Sequence, residues 1–180
     1  MLIKSDLSLL LIVDIQEKLA PAIHQGNNAI DTYLRLLSVA RQLAIPRFIS
    51  EQYVRGLGPS VTAIKDVAVD AEFFEKIHFS CAREPGVVDK LKATGRQQII
   101  LTGMEAHVCV LQTALGLLEA GFDVFLVADA TTSRTPENRQ AAIERLRHAG
   151  VHIATTEMVL FEWLEKAGTE AFRAALPLIK

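Results

Sequence analysis

Cysteine is scarce in this chain: 180 residues hold two, Cys81 and Cys109. Two thiols cannot staple a disulfide framework, and a cytoplasmic chain would keep both reduced. Long apolar runs are missing as well. The longest, Leu7 to Val13, is interrupted by Ser8 and stops at Asp14, far short of the ~20 residues that cross a bilayer. The N-terminus lacks the basic start, apolar middle and small-residue cleavage site of a signal peptide, so a cytoplasmic location is expected. Charge of one sign does not dominate: 19 basic residues against 21 acidic ones give −2, with no basic stripe or acidic tail. Nucleic acid and membrane are therefore poor partner expectations. The histidines at 24, 78, 107, 148 and 152 show no metal-binding spacing. Gly56 and Gly58 do not lead from a strand into a helix as a dinucleotide fingerprint must. Neither a metal nor a cofactor is expected.

What is present is globular. Half the residues are hydrophobic and 22% are charged, and the length suits a single domain spanning 1–180. Strand-like and helix-like segments alternate. Leu7 to Val13 predicts a central strand buried on both faces. Residues 27–44 carry Ile30, Tyr33, Leu34, Leu37, Ala40 and Ala44 at helical spacing. Strands are expected at 47–50, 99–102, 124–127 and 151–154, with a more ambiguous one at 73–79. Residues 51–71 read as a long loop with at most a short helix. An apolar helix is expected over 107–120, closed by Gly121. Thr135 and Pro136 open another that ends at Gly150, and helical segments follow near 156–165 and 168–175. This order predicts a three-layer α/β/α, doubly wound domain with about six parallel strands. Such sheets bind ligands beyond the carboxyl ends of their strands. Asp14, Lys76 and Cys109 all fall near predicted strand ends.

Cys109 has the most specific context. A β-prone run (Ile99, Ile100, Leu101) stops at Gly103, and six residues later the thiol stands in the first turn of an apolar helix. Backbone N–H groups and the helix dipole favour a thiolate there. The bland alternative is an inert core cysteine, but the polar turn with Glu105 and His107 speaks for a nucleophile. Asp14 ends an apolar strand, where partial desolvation makes a carboxylate a usable base. Taken alone it reads better as a helix cap. Lys76, among Phe73, Phe74, Ile77 and Phe79, could hold an ammonium near both anions; alone it reads better as a surface lysine. Cys81 is a packing or pocket-wall residue.

These segments resemble the isochorismatase-like cysteine hydrolases, which include nicotinamidases. The family pattern places an aspartate after the first strand, a lysine near the third and a cysteine after the fourth. Asp14, Lys76 and Cys109 match it in order over nearly the whole chain. Glu51, Gln52 and Tyr53 with Gly56 to Pro59, and Ser133 with Arg134, look most like the isochorismatase-domain-containing proteins. The resemblance implies an Asp14–Lys76–Cys109 triad and a cis peptide between Met104 and Glu105. It also implies an oxyanion hole from the N–H groups of Glu105 and Cys109, and a structural role for Asp129. Metal-containing nicotinamidases carry an Asp-x-His pair after the second strand. Ser50 to Arg55 has none here, so that metal site is missing. The expected activity is hydrolysis of a small amide-like C–N bond through a thioester. A vinyl-ether hydrolase with Cys109 as bystander, and a non-catalytic binding member of the fold, are the alternatives. Gln52, Tyr53, Phe79 and His107 are the expected pocket wall. The apolar outer helices suggest a homo-oligomer, dimer or higher, whose neighbour could close the pocket.

Overall fold

The structure, a computed structural model, describes residues 1–179. Six strands form one sheet in the order β3-β2-β1-β4-β5-β6, every pairing parallel. They are β1 (Ser8–Val13), β2 (Arg47–Gln52), β3 (Glu72–Lys76), β4 (Gln98–Gly103), β5 (Asp123–Thr131) and β6 (His152–Ala154). The predicted fold class is the observed one. β1 lies in the interior of the sheet because it is apolar on both faces. Leu10 and Ile12 join one core and Leu9, Leu11 and Val13 the other, all fully buried. Burying each such side chain contributes roughly 1.5–3 kcal/mol.

The helices are α1 (Ile30–Gln42), α2 (Val54–Leu57), α3 (Thr62–Val67), α4 (Val87–Ala93), α5 (Leu111–Glu119), α6 (Pro136–His148), α7 (Thr156–Leu164) and α8 (Glu170–Ile179). One core packs Tyr33, Leu36 and Leu37 of α1 with Ile64 of α3 and Val159 and Trp163 of α7. The other packs Leu91 of α4, Ala114 and Leu117 of α5 and Leu146 of α6. Three details differ from expectation. The stretch 51–71 holds two short helices instead of one at most. α4 was not anticipated, since its apolar pair Val87 and Leu91 spans a single turn. The helix expected from 107 begins as a wide π-helical turn, Ala106–Val110, and turns regular only at Leu111.

Strand order reverses direction between β1 and β4, the topological switch point at which such sheets hold ligands. The register sets the strand ends level there. Val13 lies opposite both Ser50 and Gly103, and Gln52 lies opposite Lys76. Gly103 is required at this point. Its φ is +146°, and a Cβ there would press on the Val13 carbonyl and lie 2.8 Å from the Val13 nitrogen.

Candidate active site at the sheet switch point

Three of the strands stop at a non-glycine residue in the left-handed region: Asp14 (φ 58°) after β1, Tyr53 (φ 38°) after β2 and Glu105 (φ 59°) after β4. Such conformations cost about 1–3 kcal/mol each and cluster where a site needs a particular backbone direction. The left-handed Glu105 makes the reversal into the Cys109 turn. The Met104–Glu105 bond itself is trans, for no peptide bond is cis among the described residues. The expected cis bond is therefore corrected: a positive φ turns the chain instead.

Asp14 and Lys76 meet as expected. Lys76 Nζ donates to Asp14 Oδ2 at 2.8 Å, and both side chains are fully buried. Ser50 Oγ donates to the other carboxylate oxygen at 2.7 Å. Burial pushes the Asp14 carboxyl above its ordinary range, opposed by Lys76 and Ser50. Burial is the largest single influence on the Lys76 ammonium and disfavours it, but the Asp14 charge, the neighbouring Cys81 and Cys109 and the hydrogen bond to Asp14 together outweigh it and hold the proton on. The thiol of Cys109, 1% exposed, lies close enough to Asp14 to feel its charge.

The thiol's titration overturns one expectation. Burial, and then the Asp14 charge, push Cys109 well above the usual thiol range, and Lys76 offsets only part of that. The helix start does not produce a standing thiolate, because the site is dry and a carboxylate faces it. Cys81 is also fully buried and pushed up to about 11 by burial. Its N–H donates to Thr113 Oγ1 at 2.9 Å, which fixes it as a packing residue against α5.

The turn carrying Cys109 is stitched to the end of β5. Ala106 N–H donates to the Thr132 carbonyl at 2.8 Å, and Thr132 N–H to that of Gly103 at 3.1 Å. His107 Nδ1 lies 2.6 Å from Ser133 Oγ, and Arg134 Nε donates to Glu105 Oε1 at 2.6 Å. Among the described residues no group accepts the Glu105 N–H. Asp129 lies where β5 bulges away from β4, and its Oδ1 accepts from Thr156 N–H at 2.7 Å at the start of α7.

The expected wall residues divide. Tyr53 and Phe79 are half exposed, at 52% and 54%. His107 is half-buried and turned to Ser133. Gln52 is 8% exposed and both ends of its amide are engaged, Oε1 by Lys76 and Nε2 by the Ile77 carbonyl. Ser50, Gln16 and the Arg134–Glu105 pair were missed. Ser50 carried the same signal as Asp14, a polar residue closing an apolar strand. A cleft of about 390 Å³ lies beside Ser133, lined by His24, Thr132, Asp129 and Arg139, and does not reach Asp14, Lys76 or Cys109. No group of three or more His, Cys, Asp or Glu among the described residues could hold a metal. Among the described residues no helix is long and apolar enough to cross a membrane.

Comparison with known proteins agrees with this fold. The isochorismatase domain model matches residues 8–158. Isochorismatase domain-containing protein 2 of Danio rerio is 41% identical over 173 residues, covering 96% of this chain and 86% of that one. A structure of the MAR1 ribonuclease from Caenorhabditis elegans superposes with a TM-score of 0.93 at 37% identity, over 99% of this chain and 92% of that one. The YcaC gene product of Escherichia coli, described as an octameric hydrolase of unknown specificity, gives 0.92 at 26% identity, over 99% and 89%. With the domain match covering most of its length and a relative at 41% identity, the chain belongs to the isochorismatase family.

Proposed function

We propose that this chain is a cysteine hydrolase of small amide-like substrates, with Asp14, Lys76 and Cys109 as its triad. The observation that carries the reading is a buried thiol beside a buried carboxylate that Lys76 and Ser50 hold in place. With so high a thiol pKa, the proton leaves only as the sulfur attacks. Asp14 accepts that proton while Cys109 Sγ bonds to the carbonyl carbon, and the carbonyl π electrons move to oxygen. The raised carboxyl pKa makes Asp14 a stronger acceptor than a solvated carboxylate. The N–H groups of Glu105 and Cys109 take the oxyanion, and the free Glu105 N–H supports that role. One such donor is worth about 3–4 kcal/mol. Asp14 then returns the proton to the leaving nitrogen as the C–N bond breaks, releasing ammonia or an amine. Water deprotonated by Asp14 next hydrolyses the thioester, giving the carboxylic acid and the thiol.

A vinyl-ether hydrolase in which Asp14 supplies the proton is the second reading, favoured by the burial of the thiol. The two separate cleanly. Screening small amides for ammonia release should find a substrate, and Cys109→Ala should lose at least 10³-fold in rate, as expected for removal of a covalent nucleophile, with an unchanged circular dichroism spectrum. Turnover that survives in Cys109→Ala would instead make the thiol a bystander. Protein that turns over neither substrate class, with Cys109 inert to iodoacetamide, would favour a binding role.

The described octamer of the YcaC relative and the exposed Tyr53, Ile77 and Phe79 support a homo-oligomer, which light scattering after size exclusion would reveal. The Caenorhabditis relative is named a ribonuclease. Here the balanced charge and the buried triad favour a small-molecule substrate over nucleic acid.

A further inference from the structure

Lys76 has a second partner besides Asp14. Its ammonium donates to Gln52 Oε1 at 2.6 Å. An ammonium can only donate, so the carbonyl end of the amide must face it, and the opposite end donates to the Ile77 carbonyl at 2.8 Å. The backbone of Gln52 is held in turn by Gln16, itself fully buried. Gln52 N–H donates to Gln16 Oε1 at 2.8 Å, and Gln16 Nε2 donates to the carbonyls of Gln52 at 2.9 Å and Gly58 at 2.6 Å. A chain of buried amides thus runs from the loop after β1, through the end of β2, to the cation at the end of β3.

We propose that Gln52 is a positioning residue for the triad: it aims the Lys76 ammonium at Asp14 and leaves Asp14 as that cation's sole anionic partner. A buried ammonium with only one acceptor retains uncompensated donors, which weakens its charged form. A neutral acceptor repairs that without adding charge. A carboxylate in the same place would draw Lys76 away from Asp14 and Cys109. In either case the thiolate that forms during attack would lose stabilisation. The proposal rests on the triad reading above, but not on the nature of the substrate.

The test is the pH profile of Cys109 alkylation by iodoacetamide, with peptide mass spectrometry separating Cys109 from Cys81. Gln52→Met keeps length and removes the acceptor; Gln52→Glu keeps shape and adds charge. Both should move the profile to higher pH by about one unit, which is about tenfold slower alkylation at a fixed pH on the rising limb. If small amides prove to be substrates, kcat should fall about as much with KM less affected. A structural role alone would lower the melting temperature and leave the profile in place. Profiles superimposable on the parent in both variants, or in whichever one folds, overturn the proposal. A shifted alkylation profile in a protein that hydrolyses no amide would leave Gln52 positioned as argued and sink the amide reading instead.

Discussion

Ionising Cys109 inside the fold is harder than ionising it in the unfolded chain, and its neighbours behave alike. Cys81 moves from 9.0 to about 11, Cys109 is raised from the same starting value, and Lys76 is raised above 10.5. In each case the native state keeps a proton that the unfolded chain gives up first. Stability from these groups is therefore complete below about pH 9 and drains away as pH climbs past it. Urea midpoints measured across that range should fall, and Cys81→Ala should flatten the fall by up to about 3 kcal/mol. The Asp14–Lys76 pair gives a second outcome. Asp14→Leu or Lys76→Met alone strands a buried charge and should cost about 3–5 kcal/mol, while the double variant should cost far less than the sum. A double-mutant cycle in urea measures this directly, and additive losses would mean that the pair is not coupled.

Cys109 was legible as a candidate because its strand–turn–helix context is distinctive, whereas Asp14, a polar stop to an apolar strand, read alone as a helix cap. Asp14 and Lys76 both came forward only through the family's order, since nothing local separates Lys76 from a surface lysine on an alternating strand. Gln16 and Arg134 were invisible because their roles arise from pairings 36 and 29 residues distant in sequence. Single-residue context carries no information about such partners.

At the scale of elements, the strands could be read and the turns could not. β1 and β4 announced themselves by continuous Ile, Leu and Val. The ambiguous segment near 73–79 proved to be a strand only as far as Lys76, because pairing with β2 stops where Gln52 meets it. The π-helical turn at Ala106–Val110 escaped because its cause is tertiary. Glu105 turns left-handed, and its carbonyl accepts from both Val108 and Val110. Gly103 is what lets β1 and β4 close at this point. Gly103→Ala should destabilise by about 3 kcal/mol or more, since it combines a disfavoured φ with backbone crowding. It should also wedge the strand leading to Asp14 from the one leading to Cys109. Thermal melts and ammonia release should fall together; a variant as stable as the parent would refute the crowding argument.

The whole molecule repeats the logic of its centre. Two cores, one on each face of a single sheet, leave the carboxyl ends of four strands level. The chain uses that edge to bring residues 14, 50, 76 and 105 together. The layered sheet followed from the alternation of elements, whereas the meeting of these side chains and the face-to-face pairing of loops did not, because loops carry no period to read.

The centre assembled there is electrically quiet. Asp14 is matched by Lys76 and Glu105 by Arg134, so the four charges around the thiol cancel. Their field dies away within a few ångströms instead of reaching into solution, and an arriving molecule feels no pull. Encounter is then left to diffusion and shape. The ratio of iodoacetate to iodoacetamide reaction rates at Cys109 should accordingly be the same at low and high salt. A ratio that drops as salt is added would reveal an attractive positive field.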